Sequence, residues 1–446
     1  MKWDLAFVAA ATGGISHGTA AVERVVTDSR EAGPGSLFVA VRGQRLDGHD
    51  FAADAAARGA AVLVERGRGP EGGPAVEVED TLAALAALGA ERRAEIRLPV
   101  VAVTGSSGKT TTKDMVAAAL GPGTHAAPRS FNNEVGVPLT VLGTPDDASA
   151  LVIEVGSRGA GHISALAAVI RPDVAVVTNI GPAHLEMFVD VGAVLEAKWE
   201  LVEALPSAGV AVLPAGDARL TARRRGPMIT FGEEGFAADV EVSDVTLDTR
   251  GRASFHLSHL GVARTVVLQQ AGRHQPVNAA AAVAAALALG NDFAEAADRV
   301  AGARVSPWRM EVFELPLAGG SVLVVNDAYN ANPDSMAAAF DTVAAMPGRR
   351  IAVLGKMHEL GASQEELHRV VGKRAVAAGF ELVVVVGDDP GIAEGAGAAA
   401  IRVADADAAA EALAGILRAG DVVLVKASRA AGLERVAEAI GGGAAA

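Results

Sequence analysis

Residues 104–112 read T-G-S-S-G-K-T-T-T and directly follow the apolar run L-P-V-V-A-V at 98–103. A glycine-rich turn between a strand and a helix points successive backbone N–H groups at one spot, where the helix dipole adds partial positive charge. Lys109 can reach the β- and γ-phosphates of a nucleotide there, and Thr110 or Thr111 can offer a hydroxyl to Mg²⁺. The stretch therefore predicts a phosphate-binding loop in an α/β domain.

The loop is shorter than the general pattern G-x-x-x-x-G-K-[ST]. That pattern requires glycine at position 103, which is Val103 here, so the motif reduces to G-x-x-G-K-T-T. Gly105 and Gly108 permit the tight turn. The order of strand, loop, lysine and hydroxyls favours nucleotide binding over a chance turn.

Composition excludes several classes of function. The chain has 446 residues, enough for about three domains, and carries 53 acidic against 39 basic residues for a formal net charge of −14. This balance disfavours nucleic acid as a partner, because its phosphates require a basic surface. The chain has no cysteine, no apolar run near the ~20 residues of a membrane span, and no convincing signal peptide at its start. We expect a cytoplasmic, monomeric enzyme that neither binds nucleic acid nor spans a membrane.

Hydrophobic periodicity divides the chain into three α/β blocks, residues 1–97, 98–305 and 306–446. The predicted strands are 36–41, 60–64, 150–155, 174–180, 209–213, 239–247, 253–257, 265–269, 322–326, 350–355, 382–387 and 422–426. The predicted helices are 81–96, 113–120, 277–289, 293–301, 335–346, 364–378, 408–418 and 432–440. The central block has a mostly parallel sheet with antiparallel strands near its end, and the third block is a second doubly wound domain.

Polar residues follow several of the central strands. Glu154 ends a buried strand at the edge where ligands bind in open α/β folds, which suggests a Mg²⁺ ligand; the alternative is an ion pair with Arg158. His184 follows another strand end, and its spacing is equally typical of a second metal ligand and of an ordinary surface histidine. Asn132 and Asn133 supply amide groups in a turn, where asparagine is also a common structural residue.

Ten segments along the chain form a specific set. They are T-G-S-S-G-K-T-T-T-K-D-M at 104–115, N-N-E-V-G-V-P-L-T at 132–140, E-V-G-S at 154–157, A-H-L-E around His184, A-K at 197–198, G-R-H-Q-P-V-N-A at 272–279, W-R-M-E at 308–311, N-D-A-Y-N-A-N-P-D-S-M at 326–336, L-G-K-M-H-E-L-G at 354–361 and V-K-A-S-R at 425–429. Together they resemble the Mur ligases of peptidoglycan synthesis over essentially the whole chain. The stretch 27–51 is similar to the UDP-sugar-binding domain of that family.

The resemblance implies a three-domain Mur ligase architecture: a small N-terminal α/β domain, residues 1–97, that binds the UDP-sugar; a central P-loop ATPase-like domain, residues 98–305; and a C-terminal Rossmann-like domain, residues 306–446, that completes the ATP site and binds a dipeptide. It also implies ATP-dependent joining of D-alanyl-D-alanine to UDP-N-acetylmuramoyl-tripeptide through an acyl phosphate.

Residue roles follow from the same resemblance. The ATP phosphates would be held by Gly105, Ser106, Ser107, Gly108, Lys109, Thr110 and Thr111. Thr110 and Glu154 would bind one Mg²⁺, and His184 a second, bridged by a carbamate formed on Lys198 from CO₂. A carbamate is an anionic oxygen ligand, whereas an ammonium repels Mg²⁺. Without the resemblance, Lys198 reads as a solvated helix residue. Lys109, Lys198 and His184 are the implied catalytic residues.

The remaining implied contacts lie on all three domains. Asn278 would contact adenine, while Arg309 and Asp327 would reach phosphate and ribose from the third domain. The implied substrate-binding residues are Ser29, Arg30, Phe38, Asp47, His49, Asn132, Asn133, Tyr329, Asn330 and Asn332. We expect the last cluster, 329–332, to position D-alanyl-D-alanine, although Asp334 or Ser335 could cap the helix that follows.

Three alternatives share the phosphate loop. A Mur ligase that adds a single diamino acid should carry a D-N-P-R segment, which the chain lacks. A folylpolyglutamate synthase should lack the 27–51 block. A nucleotide-dependent switch would not need a second α/β domain that contributes Arg309 and Asp327, and its ATP turnover would not depend on an amine acceptor.

Overall fold

The computed structural model describes residues 1–43, 46–127, 129–182, 186–188 and 190–442, and these form three α/β units along the chain. Each unit is built around its own sheet, and a small two-stranded pair accompanies the first. The α/β class and the three-unit order predicted from the sequence are confirmed.

The N-terminal unit has a five-stranded sheet in the order β2-β7-β6-β5-β4. Its elements are β1 Trp3–Asp4, α1 Leu5–Thr12, β2 Ile15–His17, β3 Ala21–Val22, β4 Arg24–Val26, β5 Ser36–Val39, α2 Ala52–Ala57, β6 Ala61–Glu65, β7 Ala75–Val78 and α3 Thr81–Glu95, with 3₁₀ turns at Ser29–Glu31 and Gly48–Phe51. Strands β4 to β7 are parallel. Apolar clusters cover both faces of the sheet.

The central unit holds a nine-stranded sheet in the order β16-β15-β14-β13-β12-β11-β8-β10-β9. Its elements are β8 Val100–Thr104, α4 Lys109–Leu120, β9 Thr124–Ala126, α5 Gly136–Leu142, β10 Ala150–Glu154, α6 His162–Ile170, β11 Val174–Val177, α7 Val191–Glu203, β12 Val210–Pro214, α8 Ala218–Thr221, β13 Met228–Glu233, β14 Val240–Leu247, β15 Arg252–His259, β16 Val262–Ala271, α9 Gln275–Ala288 and α10 Phe293–Ala301. The last three strands are antiparallel, as predicted.

Strand β8 lies between β10 and β11, so the loop after it faces the ends of both neighbours. Helix α4 begins at Lys109, four residues before the predicted start at 113. The threonines at 110–112 are weak helix formers in isolation, yet they form its first turn with buried side chains. Packing of α4 against β10 and α9 overrides the local preference.

The C-terminal unit has a six-stranded sheet in the order β17-β18-β22-β19-β20-β21, parallel except for β17. Its elements are β17 Glu311–Leu317, β18 Gly320–Asp327, α11 Pro333–Ala344, β19 Arg350–Leu354, α12 Gln364–Ala377, β20 Phe380–Val386, α13 Gly391–Ala396, β21 Ala400–Val403, α14 Ala406–Ile416, β22 Val422–Lys426 and α15 Glu434–Gly442, with 3₁₀ turns at Gly361–Ser363, Gly397–Ala399 and Arg429–Ala431.

Polar contacts join the units. Arg92 of α3 donates to the Thr144 carbonyl at 2.7 Å and to Asp146 in the central unit. The Asp114 carboxylate on α4 accepts from the backbone N and Oγ of Ser306, at 2.7 and 2.8 Å. Within the described part of the chain, no helix combines the length and apolar character that a bilayer crossing requires.

Candidate active site

A cavity of about 600 Å³ lies between the central and C-terminal units, at the ends of β8, β10 and β18. The residues that the sequence analysis assigned and that line it are Ser106, Ser107, Gly108, Lys109, Thr110, Thr111, Asn132, Asn133, Glu154, Asn278, Arg309, Asp327, Tyr329, Asn330 and Asn332. The fold therefore brings together the assigned nucleotide and C-terminal acceptor residues. Gly105 and Lys198 do not line the cavity, and His184 falls outside the described residues.

The phosphate loop leaves the N-terminus of α4 open. Gly108 precedes the helix with φ of +76°, and no side chain caps the first-turn amides. A Cβ at Gly108 would lie 2.8 Å from Asn278 Oδ1, and one at Gly105, where φ is +147°, would lie 1.9 Å from Thr178 Oγ1. Both positions thus require glycine for backbone conformation and for space. Open amides at a helix start suit an anion.

Lys109 is held against its own loop. Its Nζ donates to the Gly105 carbonyl at 2.8 Å and to the Ser106 carbonyl at 3.4 Å. Burial lowers the pKa of Lys109, and the negative charge of Glu154 counteracts part of that effect. The lysine is therefore positioned at the open helix start, next to where phosphates would lie.

A cluster of oxygen atoms lies beside the loop. Thr110 Oγ1 donates to Glu154 Oε2 at 2.5 Å and lies 2.6 Å from Ser130 Oγ. Asn132 Nδ2 donates to Glu154 Oε1 at 2.6 Å. Hydroxyl and carboxylate oxygens are the donors that Mg²⁺ prefers, so this set fits the predicted ion. Thr110, rather than Thr111, contacts the carboxylate.

The alternative for Glu154, an ion pair with Arg158, is wrong. Arg158 instead contacts Glu134 at 2.6 Å. Sequence reasoning also missed Ser130, although this residue stands two positions before the Asn132–Asn133 pair that it had singled out. Among the described residues, no group of three or more His, Asp or Glu side chains forms a metal-binding cluster. The oxygen cluster instead combines the Glu154 carboxylate with the hydroxyls of Thr110 and Ser130.

Lys198 lies on α7 and is fully buried. Burial, and next the charge of Lys109, lowers its pKa well below the usual value for lysine. Its Nζ has no hydrogen-bond partner among the residues that the structure describes. The alternative of a solvated helix residue is therefore wrong, and the side chain is a buried amine close enough to Lys109 for their charges to interact.

Arg309 crosses from the C-terminal unit to the oxygen cluster. Its Nη2 donates to Thr110 Oγ1 at 2.6 Å and to Ser130 Oγ at 2.8 Å. The guanidinium lies over the ring of Tyr329, 4.1 Å from its centroid. Because Arg309 reaches the loop, both units together form one site.

The Asp327 carboxylate makes its contacts with residues of the C-terminal unit. Its carboxylate lies 2.5 Å from Lys426 Nζ and accepts from the Met310 amide at 3.1 Å. Lys426 is 1% exposed and also donates to the Asn330 carbonyl at 2.8 Å. The sequence analysis quoted the segment around Lys426 without assigning it a role; the scarcity of lysine in the chain was the available signal.

Three assigned asparagines use an amide oxygen locally. Asn332 caps α11 and forms a reciprocal capping box with Ser335, while Pro333 occupies the first turn. Asn133 Oδ1 accepts the Gly136 amide at 2.8 Å at the start of α5, and Asn278 Oδ1 accepts weakly from Thr112 at 3.4 Å. Of the two alternative capping residues, Ser335 takes part in the capping box, but the N-cap itself is Asn332. The Asn278 amide nitrogen is also used within the protein, since it donates to Gln275 Oε1 at 2.9 Å.

The assigned residues of the N-terminal unit do not line this cavity. Ser29 and Arg30 form an exposed turn in which Arg30 pairs with Asp28 at 2.6 Å. Phe38 is 1% exposed within the sheet core. Asp47 contacts both His49 Nδ1 and Arg68 at 2.6 Å, and Arg68 contributes most to lowering the pKa of Asp47. Their substrate contacts stay predictions.

Comparisons with known proteins agree with this arrangement. Three family models match consecutive parts of the chain: "Mur ligase family, catalytic domain" at 21–93, "Mur ligase middle domain" at 103–286, and "Mur ligase, glutamate ligase domain" at 308–429. The UDP-N-acetylmuramoyl-tripeptide–D-alanyl-D-alanine ligase of Mycobacterium tuberculosis is 39% identical over 93% of this chain and 91% of its own length. The chain belongs to the Mur ligase family. The corresponding Escherichia coli ligase is 35% identical over 94% of both chains.

Solved structures lead to the same family. MurF from Acinetobacter baumannii matches with a TM-score of 0.88 and 30% identity over 99% of both chains. MurF from Thermotoga maritima in complex with ADP matches with a TM-score of 0.82 and 33% identity over 94% of this chain and 97% of that one. Mycobacterium tuberculosis folylpolyglutamate synthase, at 18% identity and a TM-score of 0.62, shares the fold alone. The prediction of an ATP-dependent ligase is confirmed.

Proposed function

We propose that this Mur ligase joins D-alanyl-D-alanine to UDP-N-acetylmuramoyl-tripeptide and converts ATP to ADP and phosphate, as a step of peptidoglycan synthesis. The observation that carries the proposal is the single cavity in which the phosphate loop, Arg309 and the segment 327–335 meet. The names of relatives that span more than nine-tenths of the chain supply the substrates.

The reaction that fits this cavity has two steps. A carboxylate oxygen of the tripeptide attacks the γ-phosphorus of ATP, which gives an acyl phosphate and releases ADP. The neutral amine of the dipeptide then attacks the carbonyl carbon, the C–N bond forms, phosphate leaves as the C–O bond breaks, and the proton lost from nitrogen passes to the departing phosphate or to water. Lys109 and the α4 amides would neutralise charge on the transferring phosphoryl oxygens, and exclusion of water from the cavity would protect the acyl phosphate from hydrolysis.

The metal requirement of the proposal rests on the oxygen cluster. Thr110, Ser130 and Glu154 would hold Mg²⁺, which when bound supplies positive charge next to the phosphoryl oxygens. Thr110 and Glu154 already contact each other, so their oxygens lie side by side for an ion once Arg309 has left the Thr110 hydroxyl. A second Mg²⁺ at His184 remains part of the proposal.

Lys198 is proposed to carry a carbamate. A neutral amine, rather than an ammonium, is the nucleophile towards CO₂, and burial favours the neutral form of this lysine. The unpartnered Nζ supports a modification at this position, because a buried polar atom without a partner is costly. The carbamate would add anionic oxygens beside Lys109.

The proposal also covers domain roles. Residues 1–97 would bind the UDP-sugar through Ser29, Arg30, Phe38, Asp47 and His49, residues 98–305 would bind ATP, and residues 306–446 would bind the dipeptide. Asn132 and Asn133 would face the tripeptide. We further propose a monomeric enzyme of the cytoplasm, where ATP and UDP-linked precursors are available.

Phosphate release tests the proposal. The enzyme is assayed with UDP-N-acetylmuramoyl-tripeptide or the corresponding dipeptide, each with and without D-alanyl-D-alanine. We expect rapid release only with the tripeptide and D-alanyl-D-alanine together. Equal release with the UDP-linked dipeptide, or release that does not depend on D-alanyl-D-alanine, would refute the assigned substrates.

A further inference from the structure

The segment 302–310 connects the end of α10 to the start of β17 and thereby joins the central unit to the C-terminal unit. Arg309, which reaches the phosphate loop, lies near the end of this connecting segment. Both neighbours of Arg309 have positive φ, +61° at Trp308 and +52° at Met310. Residues with a Cβ rarely adopt this conformation, and it persists only where the surroundings hold it. The direction of Arg309 therefore depends on the contacts that hold the connecting segment.

The C-terminal unit holds the last residues of the connecting segment. The Met310 amide donates to Asp327 Oδ1 at 3.1 Å, and the Trp308 carbonyl accepts the Tyr329 amide at 3.2 Å. The guanidinium of Arg429 lies 4.1 Å from the centroid of the Trp308 ring. These contacts place the segment relative to the C-terminal sheet. They do not place it relative to the phosphate loop, which belongs to the central unit.

Asp114 on α4 supplies a contact with the central unit. Its Oδ2 accepts from the backbone N of Ser306 at 2.7 Å and from Ser306 Oγ at 2.8 Å. Pro307 follows, and its ring fixes φ and stiffens the chain between this contact and Arg309. Lys109 begins the same helix, so Asp114 lies about 7.5 Å from it along the helix axis. One helix thus carries both the lysine of the phosphate loop and the anchor of the connecting segment.

The adjacent Lys113 fixes the position of the Asp114 carboxylate. Lys113 is 0% exposed, and its Nζ lies 2.8 Å from Asp114 Oδ1. Its Nζ also donates to the Ala127 carbonyl and, at 3.2 Å, to the carbonyl of Arg129, which directly precedes Ser130 of the oxygen cluster. The two carboxylate oxygens therefore have different partners: Oδ1 pairs with the buried lysine, and Oδ2 holds the connecting segment.

We propose that Asp114 is a positioning residue, which holds Ser306 to α4 and thereby aims Arg309 at the phosphoryl group that transfers from ATP. The inference rests on the proposed function, in which Arg309 contacts phosphate. In the structure Arg309 donates to Thr110 and Ser130, so its guanidinium reaches the open start of α4. A positive charge stabilises a transition state most when it is held in place before the reaction. The contact between Asp114 and Ser306 provides that constraint from the nucleotide side.

A double-mutant cycle tests whether Asp114 acts through Arg309. The kcat for phosphate release is measured with saturating ATP, UDP-linked tripeptide and D-alanyl-D-alanine. We expect Arg309→Ala to lower kcat by about 10²-fold or more, and Asp114→Ala alone to lower it by about 10-fold through misplacement of the guanidinium. In the Arg309→Ala background, Asp114→Ala should lower kcat further by less than about twofold, because the group that it positions is absent.

The loss of kcat in the two backgrounds decides the inference. A loss by the same factor in both would overturn it, since Asp114 would then act on stability or through another residue. A normal kcat in Arg309→Ala would also overturn it, because no group would remain to be positioned. The melting temperature should fall equally when Asp114→Ala is introduced into either background. A purely structural role therefore cannot produce the expected pattern of kcat values.

ADP binding shows whether α4 itself stays intact. The dissociation constant of ADP should stay within about twofold of the wild-type value in Asp114→Ala, because Lys109 and the first-turn amides are retained. Much weaker ADP binding would show that the substitution disturbs the phosphate loop directly, and it would overturn the positioning role.

Substitutions at Ser306 test the same contact without unpairing the buried Lys113. Ser306→Ala loses the hydroxyl contact but keeps the backbone amide contact, so kcat should fall by about threefold. Ser306→Thr retains a hydroxyl and should keep nearly the wild-type kcat. The effect of Ser306→Ala should disappear in the Arg309→Ala background. Equal kcat values for Ser306→Ala, Ser306→Thr and the wild type would refute a role for this contact.

Asp292→Ala is the matched control in the central unit. Asp292 accepts the Glu295 amide at 3.0 Å and caps α10, the helix that precedes the connecting segment. Its removal should lower the melting temperature through the lost cap and leave kcat unchanged in both backgrounds. A fall in kcat as large as that of Asp114→Ala would show that general destabilisation explains both results, which would overturn the inference.

The wild-type enzyme separates this inference from the proposed function. Phosphate release that does not depend on D-alanyl-D-alanine would refute the proposed function itself. Release that depends on D-alanyl-D-alanine, combined with equal losses of kcat in the two backgrounds, would refute only the positioning role of Asp114.

Discussion

Helices α4 and α11 both begin at the cavity, but their N-termini are occupied differently. At α4 a glycine precedes the first turn, no side chain caps it, and Lys109 stands at the first position. At α11 the Asn332–Ser335 capping box binds the first-turn groups. Uncapped amides cost stability unless a ligand satisfies them, so α4 is built for an anion and α11 for rigidity.

The comparison separates two kinds of polar residue in one cavity. The first turn of α4 carries no side-chain cap, whereas several groups of the C-terminal unit are already used within that unit, including Asp327 with Lys426. Substitutions on the α4 side should therefore change chemistry without much change in stability. Substitutions on the α11 side should change stability or the dipeptide KM.

Lys109→Ala should have the largest effect. We expect turnover to fall by about 10³-fold or more, because Lys109 acts on the transferring phosphoryl oxygens, while the melting temperature stays within a few degrees. Phosphate release and thermal unfolding measure the two quantities. Lys373→Ala, an exposed lysine on α12, is the control. Near-normal turnover in Lys109→Ala would refute the assignment of the α4 N-terminus as the phosphate-binding site.

Lys198→Ala tests a second residue of the central unit, on the α4 side of the cavity. Turnover should fall by about 10²-fold or more, since the buried position would lose its carbamate oxygens, and acetate should restore part of it by filling the vacated volume. Acetate should not stimulate the wild-type enzyme. Full activity of Lys198→Ala in buffer depleted of CO₂ would exclude the carbamate.

Asn330→Ala tests an exposed residue on the C-terminal side of the cavity. Only the backbone carbonyl of Asn330 is bound by Lys426, so removal of the side chain should leave the fold intact. We expect the dipeptide KM to rise by about 10-fold, or kcat to fall by that factor, with ATP affinity unchanged. A fall in ATP affinity with unchanged dipeptide kinetics would move the acceptor site elsewhere.

Asn332 should show the smallest effects. Asn332→Ala removes the α11 cap and should lower the free energy of unfolding by about 1 kcal/mol. Asn332→Asp keeps the capping oxygen but loses the amide nitrogen, so it should retain stability and raise the dipeptide KM about threefold. Chemical denaturation and steady-state kinetics check both. An unchanged KM in the Asp variant would leave Asn332 a capping residue only.

Local pattern predicted many of the strands and helices, together with the glycine-rich loop between β8 and α4. Buried strands such as Val422–Lys426 and amphipathic helices such as Phe293–Ala301 have the predicted bounds, because their apolar runs reflect burial directly. Met228–Glu233, inside the central sheet, was missed. Three further strands that were missed are Thr124–Ala126, Glu311–Leu317 and Ala400–Val403. All three are partly exposed edge strands, whose sequences carry little hydrophobic signal.

The C-terminal half of the site was less predictable. The phosphate loop is contiguous in sequence, whereas the contact of Ser130 with Arg309 joins residues 179 positions apart. The pair Asp327–Lys426 likewise depends on which strands become neighbours in the sheet. Spacing along the chain carries no direct signal of such partners, so motif residues could be identified but not their contacts.

Arg309 has a consequence for the order of events during turnover. Its guanidinium occupies the hydroxyl oxygens of Thr110 and Ser130, the same atoms that suit a divalent cation. Two positive centres cannot share these oxygens, because their mutual repulsion at contact distance is unfavourable. Arg309 in the structure without ligand and the metal–nucleotide complex therefore compete for the same hydroxyl oxygens. We expect the C-terminal unit to move away before ATP enters. When the unit closes again, Arg309 should contact a phosphate of ATP instead of the hydroxyls of Thr110 and Ser130.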